Sequence, residues 1–446
     1  MVLINGLVGL TLLIALLENR EPLIPAAALV MVLLWSVPLR LSKGLGFRRL
    51  EWAIVICLAY WLLNYSWSTA DFQNLISYEF LRHDGAPLVS YTAFLGFLGW
   101  PLKPKQLRNF WVIFVLLFAL IAIPSVAYCA HLFPVEDVMG RLGTVAFEPS
   151  IGARMFVGWY EAHNTTGGVY ALGSLLALTV VREAKLTPKL KQFMWVVFLC
   201  CLAGLLFTYS RGSYLGFLAG LALIVPLRKL GTVIRVGLLI GVPVVLLGVM
   251  TSTVFNRIDT ITDPYYGTNA ARFTIWEDAL QDIATSPIVG IGFGRFNDVA
   301  VDFKGIKGLY WIGVSGKIVN GDDHAHNSYL HFWAEGGIIG LWLTLRVWWC
   351  AWAELCFFES KMPKSSLHVL RKAAKACLVG TLVMSFTEHL LGRGSVVLLL
   401  MSLVGMTLAA SRLEWRAVEN AQDKLRGRMR RFPGVIQVRP TATVSQ

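Results

Sequence analysis

The chain has 446 residues, of which 56% are hydrophobic and only 15% charged, with a net charge of +13. A soluble domain carries about 25% charged residues, so this composition excludes an ordinary soluble enzyme and indicates a polytopic membrane protein. The positive charge does not point to nucleic acid, because Lys and Arg cluster in short connections between apolar runs, as topology determinants do.

The first apolar run, Val2 to Leu17, has neither a basic leader nor a small-x-small cleavage site and reads as an uncleaved span. Further spans are expected near 23–39, 50–65, 87–102, 109–131, 164–181, 193–209, 213–227, 233–252, 328–352, 376–390 and 394–411. Several fall short of the roughly 20 residues a straight crossing needs, so twelve is an approximate number. Basic residues collect on alternate connections, 27 of the 40 on one side, and the positive-inside rule puts both termini in the cytoplasm. The opposite face carries connections over 66–86, 132–163 and 253–327; loops of the latter lengths are usually functional or disordered. Within 253–327, Phe273, Trp276, Leu280 and Ile283 recur at helical spacing and predict an amphipathic helix from Thr268 or Asn269 to before Pro287. A turn with Gly290, Gly292 and Gly294 follows. The whole chain therefore reads as one transmembrane domain over 1–446, with two outer loops and a basic, solvated, membrane-skimming tail over 412–446. Sixteen Trp and thirteen Tyr suit interfacial belts. The seven Cys sit almost entirely in apolar runs without Cys-x-x-Cys, as small apolar fillers and not as disulfides or a thiolate metal site.

Three outer-face segments carry residues able to do chemistry. Asp322-Asp323-His324-Ala325-His326-Asn327-Ser328-Tyr329-Leu330 closes the large loop and opens span ten. An imidazole at His326 titrates near neutral pH and accepts a hydroxyl proton. The alternatives are that His324 and His326 cap the helix, or that His-x-His is a metal pair, although no further His stands at clear ligand spacing. Arg211 occupies a connection so short that it sits at the mouth between spans seven and eight, and Arg272 lies on the loop helix, away from the Trp276 stripe. A guanidinium stays charged and offers a planar fork to phosphate oxygens; the alternative is an interfacial arginine held by lipid headgroups. The third segment joins Gly152, Arg154 and Gly158 to His163-Asn164-Thr165-Thr166-Gly167-Gly168, where glycines let the backbone approach a ligand or a neighbouring helix. Arg346 is expected to snorkel from span ten, while Arg393 and Glu388-His389 are ambiguous. No Walker sequence is present, which leaves an ATP-driven pump without a nucleotide site, and mid-span charge is too sparse to favour ion coupling.

Taken together, three groups of residues resemble the O-antigen ligase and polymerase superfamily of bacterial envelope enzymes. They are Arg154…Gly158…Asn164, then Ser210-Arg211-Gly212, then Arg272-Phe-x-x-Trp276 leading through Pro287-x-x-Gly290-x-Gly292 to His326-Asn327-Ser328-Tyr329-Leu330. Glu335-Gly336-Gly337-Ile338-Ile339-Gly340-Leu341 continues the last of them, and the match spans roughly 150–345. The resemblance implies an all-α polytopic membrane protein of GT-C-like type, with about 12 transmembrane helices and a periplasmic helical loop domain. It implies a bacterial inner-membrane glycosyltransferase whose site faces the periplasm. The ligase of this superfamily moves a glycan from undecaprenyl pyrophosphate to lipid A-core; the polymerase joins repeat units, and a related protein O-oligosaccharyltransferase modifies Ser or Thr. A single large loop late in the chain favours the ligase, by similarity alone. A lipid or polysaccharide transporter is the competing reading from another class.

On this reading His326 is the catalytic base, Arg211 and Arg272 hold the pyrophosphate with Arg154 and Arg141 as weaker candidates, and His324, Asn327, Tyr329 and Asn164 support them. The two cations would replace the divalent metal many glycosyltransferases use, so no metal and no cofactor is expected. The expected partners are the polyprenyl-linked donor, the lipid A-core acceptor and membrane lipids, with no nucleic acid. The loop helix is expected to lie over the site as a lid.

Overall fold

In an apolar medium a backbone must satisfy its own N–H and C=O groups, and long apolar runs therefore fold as helices. The structure, a computed structural model, describes residues 48–68, 86–100, 102–130, 145–148, 153–158, 162–225, 267–296, 309–312, 317–320, 324–392 and 394–431. Among these are ten helices: α1 (Arg49–Ser68), α2 (Ala86–Leu98), α3 (Pro104–Cys129), α4 (His163–Glu183), α5 (Pro188–Leu206), α6 (Arg211–Ile224), α7 (Gly267–Thr285), α8 (Ser328–Lys361), α9 (His368–Met384) and α10 (Gly394–Arg431). Nine of the expected spans fall on described helices, and those at 2–17, 23–39 and 233–252 lie outside the described residues. Five helices, α3, α4, α5, α8 and α10, are long and apolar enough to cross a membrane. The expectation of purely helical structure is corrected by two antiparallel hairpins, β1 (Val145–Glu148) with β2 (Ala153–Phe156) and β3 (Leu309–Ile312) with β4 (Lys317–Asn320). Four-residue strands leave too short an alternation to register in the sequence.

Helix α4 is the axis of the bundle: every residue from Thr165 to Val181 is buried, against α5, α6 and α9. Helix α6 lies close along α9 through Gly212, Gly216 and Gly220. A Cβ at Gly216 would stand 2.6 Å from the Gly380 carbonyl, and one at Gly220 2.7 Å from the Ala376 carbonyl. This spacing of small residues lets two helix backbones approach, as in other membrane interfaces.

The expected tenth span is broken. Gly337 has φ 62° and ψ −173° inside α8, and the turn after α7 enters the break. Ile291 and Gly292 N–H donate to the Ala334 and Glu335 carbonyls (2.9 and 3.0 Å), while Ile338 and Ile339 N–H donate to the carbonyls of Pro287 and Ile288 (2.9 and 3.4 Å). The contact admits no side chain at the crossing, since a Cβ at Gly290 would lie 2.1 Å from the Glu335 carbonyl oxygen. The glycine turn predicted at 290–294 is present, with positive φ at Gly290, Gly292 and Gly294.

Helix α7 forms where expected but docks a different face. Ile275, Ala279 and Ile283 pack on Ala325, Ala334 and Phe296, while Phe273 and Leu280 are exposed. Arg272 and Trp276, four residues apart, share the docked side: Trp276 donates its indole N–H to the Ala325 carbonyl at 2.9 Å. Residues one helical turn apart lie on one face, so the separation of Arg272 from Trp276 expected from the sequence is corrected. The docked face also buries Asp278 and Asp282.

At the end of α8 away from Ser328, Arg412 donates to Glu51 at 2.5 Å and to both oxygens of Glu354 at 2.6 Å. Arg48 adds a 3.3 Å contact to Glu354. Arg412 is buried and lies within a helix that continues to Arg431, so the solvated tail expected from 412 begins later than the sequence indicates. Removing one partner of such a group leaves an uncompensated buried charge. Arg412→Ala is expected to destabilise the bundle by about 3–5 kcal/mol, measured as a lower melting temperature in detergent, with Glu51→Gln partly restoring it.

Burial, with repulsion from Glu277 for Asp278 and from Asp278 and Glu335 for Asp282, raises both carboxyls from 3.8 to about 6. A carboxyl whose folded pKa is raised binds its proton more tightly in the folded state. Its docking is therefore strongest below pH 4 and weakens as pH rises towards 6. Hydrogen-exchange protection of α7 is expected to be higher at acid than at neutral pH, and Asp282→Asn should flatten that dependence.

Candidate active site

Four helix ends meet in one cavity of about 210 Å³. The first residues of α4 (His163, Asn164) and of α6 (Arg211, Gly212, Ser213) line it, with Arg272 and Ile275 of α7, His326 before α8, Met384 at the end of α9, and Thr387, Glu388 and Leu390 after it. The N-terminal turns of α4 and α6 line the cavity, and the positive ends of their dipoles favour an anion there. Arg211 and Arg272 line the same cavity.

The span expected at 376–390 ends as a helix at Met384, and the segment after it turns into the cavity. The turn is stitched to the start of α8: Ser328 N–H donates to the Ser385 carbonyl at 2.9 Å, and Leu391 N–H donates to Ser328 Oγ at 3.1 Å. Asn327 caps α8 by accepting from the N–H groups of Tyr329 and Leu330 (2.9 and 3.1 Å). The cap and the stitching together place Glu388 beside His326.

Glu388 is 5% exposed and uses both carboxylate oxygens. Oε1 faces His326 Nδ1 at 2.6 Å and His324 Nε2 at 3.2 Å; Oε2 faces Asn164 Nδ2 at 2.5 Å and Arg272 Nη2 at 3.2 Å. Burial alone would raise this carboxyl, but the charge of His326, hydrogen bonds from both imidazoles and the charge of Arg272 hold it well below its usual range. An ionised carboxylate only accepts hydrogen bonds. Each imidazole therefore turns an N–H towards Glu388, and in neutral His326 the lone pair sits on Nε2. The network continues through Asn164 Oδ1, which accepts from Ser210 Oγ at 2.8 Å, and Ser210 Oγ lies 2.9 Å from Ser213 Oγ. The first turn of α6, with Arg211, is thereby tied to the same carboxylate.

Among the described residues, the non-glycine positions with positive φ are Tyr209 (51°) and His326 (47°), and both line the cavity. Side chains other than glycine seldom adopt this conformation, which costs roughly 1–3 kcal/mol and collects at functional sites.

The structure thus brings Arg211, Arg272, His326 and Asn164 together. His324 reaches Glu388 from the buried side, 5% exposed, whereas the His326 side chain is 16% exposed and faces the cavity. Asn327 acts through the helix cap. Tyr329 turns away: its hydroxyl donates to the Leu382 carbonyl at 2.6 Å and its ring packs on Phe386. Arg154 is not brought to the cavity; its guanidinium lies 4.3 Å over the Tyr128 ring. Arg141 and Arg393, with Asp322 and Asp323, lie outside the described residues. Sequence reasoning left Glu388 without a role and did not consider Tyr209. The available signal for Glu388 was an acid in a break between two apolar runs, where an ionisable residue seldom lies without a partner.

The backbone conformation at His326 predicts how substitutions behave. Asn tolerates positive φ and Val does not. Both variants lose the imidazole's bond to Glu388, and beyond that shared cost His326→Val is expected to be less stable than His326→Asn by about 1–3 kcal/mol, measured by thermal unfolding in detergent.

No curated protein sequence matches the chain. The family model described as O-antigen ligase matches residues 196–345, an interval that includes Arg211, Arg272 and His326 and stops short of Glu388. With its apolar helices, the chain is a multi-pass membrane protein, and over residues 196–345 it is similar to the O-antigen ligase family.

Proposed function

We propose that the protein is an O-antigen ligase that transfers a glycan from undecaprenyl pyrophosphate to a sugar hydroxyl of lipid A-core. It would lie in the bacterial inner membrane with both termini cytoplasmic and the cavity facing the periplasm, as the alternation of basic connections favours. The observation that carries the reading is the meeting of Arg211, Arg272 and a Glu388-bound His326 in one cavity at two helix N-termini. That cavity is smaller than the roughly 300–1,000 Å³ of pockets for drug-sized ligands. Only the reacting ends of the substrates enter it, and both lipid tails stay in the bilayer.

His326 Nε2 takes the proton of the acceptor hydroxyl as that oxygen attacks the anomeric carbon. The bond from that carbon to the pyrophosphate oxygen breaks on the opposite face, so the configuration inverts. Glu388 holds the Nδ1–H and stabilises the imidazolium that forms. Charge growing on the departing pyrophosphate is met by the guanidinium groups of Arg211 and Arg272 and by the N-terminal turns of α4 and α6, which need no rearrangement during the reaction. Fixed cations make the step independent of a divalent metal. Helix α7 carries Arg272 and Ile275 over the cavity as a cover.

Purified protein given undecaprenyl-pyrophosphate glycan and lipid A-core in EDTA is expected to form the glycosylated product. General-base help is worth about a hundred- to ten-thousand-fold, so His326→Asn should lose at least about a hundredfold while remaining folded. Glu388→Gln should lose activity by leaving the imidazole without its anchor, and Arg211→Lys by losing the planar fork. Wild-type rates in His326→Asn would reject this mechanism. Movement of glycolipid across the bilayer without a new glycosidic bond would favour a transporter.

A further inference from the structure

His324, His326 and Glu388 each offer a ligand atom within 4.8 Å of the others, the one group of His, Cys, Asp or Glu so placed among the described residues; Glu388 Oε1 faces His324 Nε2 and His326 Nδ1. We propose that this trio binds Zn²⁺ and related transition-metal dications, and that an ion held there blocks the transferase instead of serving it. The blocking part rests on His326 being the base; the binding part does not.

Two imidazole nitrogens and one carboxylate oxygen form a ligand set suited to zinc. Zinc bonds of about 2.0–2.2 Å in a tetrahedron place the donor atoms roughly 3.3 Å apart. The carboxylate oxygen already stands 3.2 Å from His324 Nε2, and its 2.6 Å separation from His326 Nδ1 widens with a small rotation of Glu388. Oε2 keeps Asn164 and Arg272, which fix the carboxylate from behind as outer partners do in zinc sites. The Arg272 charge opposes any cation. It defeats Mg²⁺ and Ca²⁺, which prefer oxygen ligands, more than Zn²⁺ or Cu²⁺, which gain from imidazole nitrogen.

Inhibition follows from which nitrogen is used. An ion on His326 Nδ1 displaces the proton there, and in a neutral ring that proton moves to Nε2. The nitrogen facing the cavity then carries a hydrogen and has no lone pair for the acceptor hydroxyl. Each imidazole exchanges one tautomer for the other, so the proton count of the protein is unchanged.

The test uses the full-length protein in nanodiscs, stripped with EDTA and titrated with Co²⁺ and Zn²⁺. Co²⁺ should bind one per chain with ligand-field absorption that Zn²⁺ removes. His324→Gln and Glu388→Gln should each weaken binding by more than about tenfold, and His324→Cys, which keeps a zinc ligand, should retain it. His368→Gln, whose ring pairs with Glu183 at the far end of the bundle, should bind as wild type. In the transfer assay Zn²⁺ should stop the reaction, EDTA should restore it, and Mg²⁺ should change nothing. Absence of binding in the wild type, or binding that survives in both Gln variants, overturns the site. Transfer that requires Zn²⁺ overturns the blocking role. One bound ion with undiminished transfer also overturns the blocking role, and with it His326 as the base, while the metal site stands.

Discussion

A carboxylate withdrawn from water must find cations or donors on every side, and at Glu388 that requirement organises the cavity end of the bundle. Its side-chain partners come to the turn after α9 from three other segments: the start of α4, the face of α7 and the loop before α8. A buried charge without these partners would cost several kcal/mol, so the carboxylate holds the segments together as firmly as they hold it. The consequence for the proposed chemistry is economy of placement. One side chain sets the tautomer of the base, the position of one phosphate-binding arginine and, through Asn164 and Ser210, the helix start that bears the other.

Around this centre the protein keeps a strained backbone at Tyr209 and His326. Strain of this kind persists only where the surroundings over-determine the conformation. Here they do: the loop before His326 packs under Trp276, and the residue after it is fixed as the cap of α8. The axial helix α4, buried along its length, supplies the rigid wall against which these loops are set.

Much of this was legible in the sequence. Apolar runs are a direct record of helices in an apolar medium, and the described spans fall close to where hydropathy places them. The convergence of His326, Arg211 and Arg272 on one cavity was legible because each sits in a short local sequence with a recognisable order. Glu388 was not, because its meaning lies in contacts some 60 to 220 residues away in the chain. The docked face of α7 was misjudged for a related reason. Phe273 and Leu280 are as apolar as Ile275 and Ile283, and the surface made by Phe296, Ala325 and Ala334 decides which pair is buried. Arg412 followed the same pattern: the rule that counts basic residues treats it as a topology marker, whereas in three dimensions it is an internal strut.

The break in α8 shows what kinds of variation the fold can absorb. The turn after α7 is spliced into the helix through peptide groups, which are the same whatever side chains they bear. Exchanges among aliphatic residues at Ile288 or Ile291 leave that splice intact. Adding or deleting a single residue between Pro287 and Gly292 would put every donor opposite the wrong acceptor. Among relatives of this chain, the aliphatic positions should therefore drift while Gly290 and the length of the segment stay fixed.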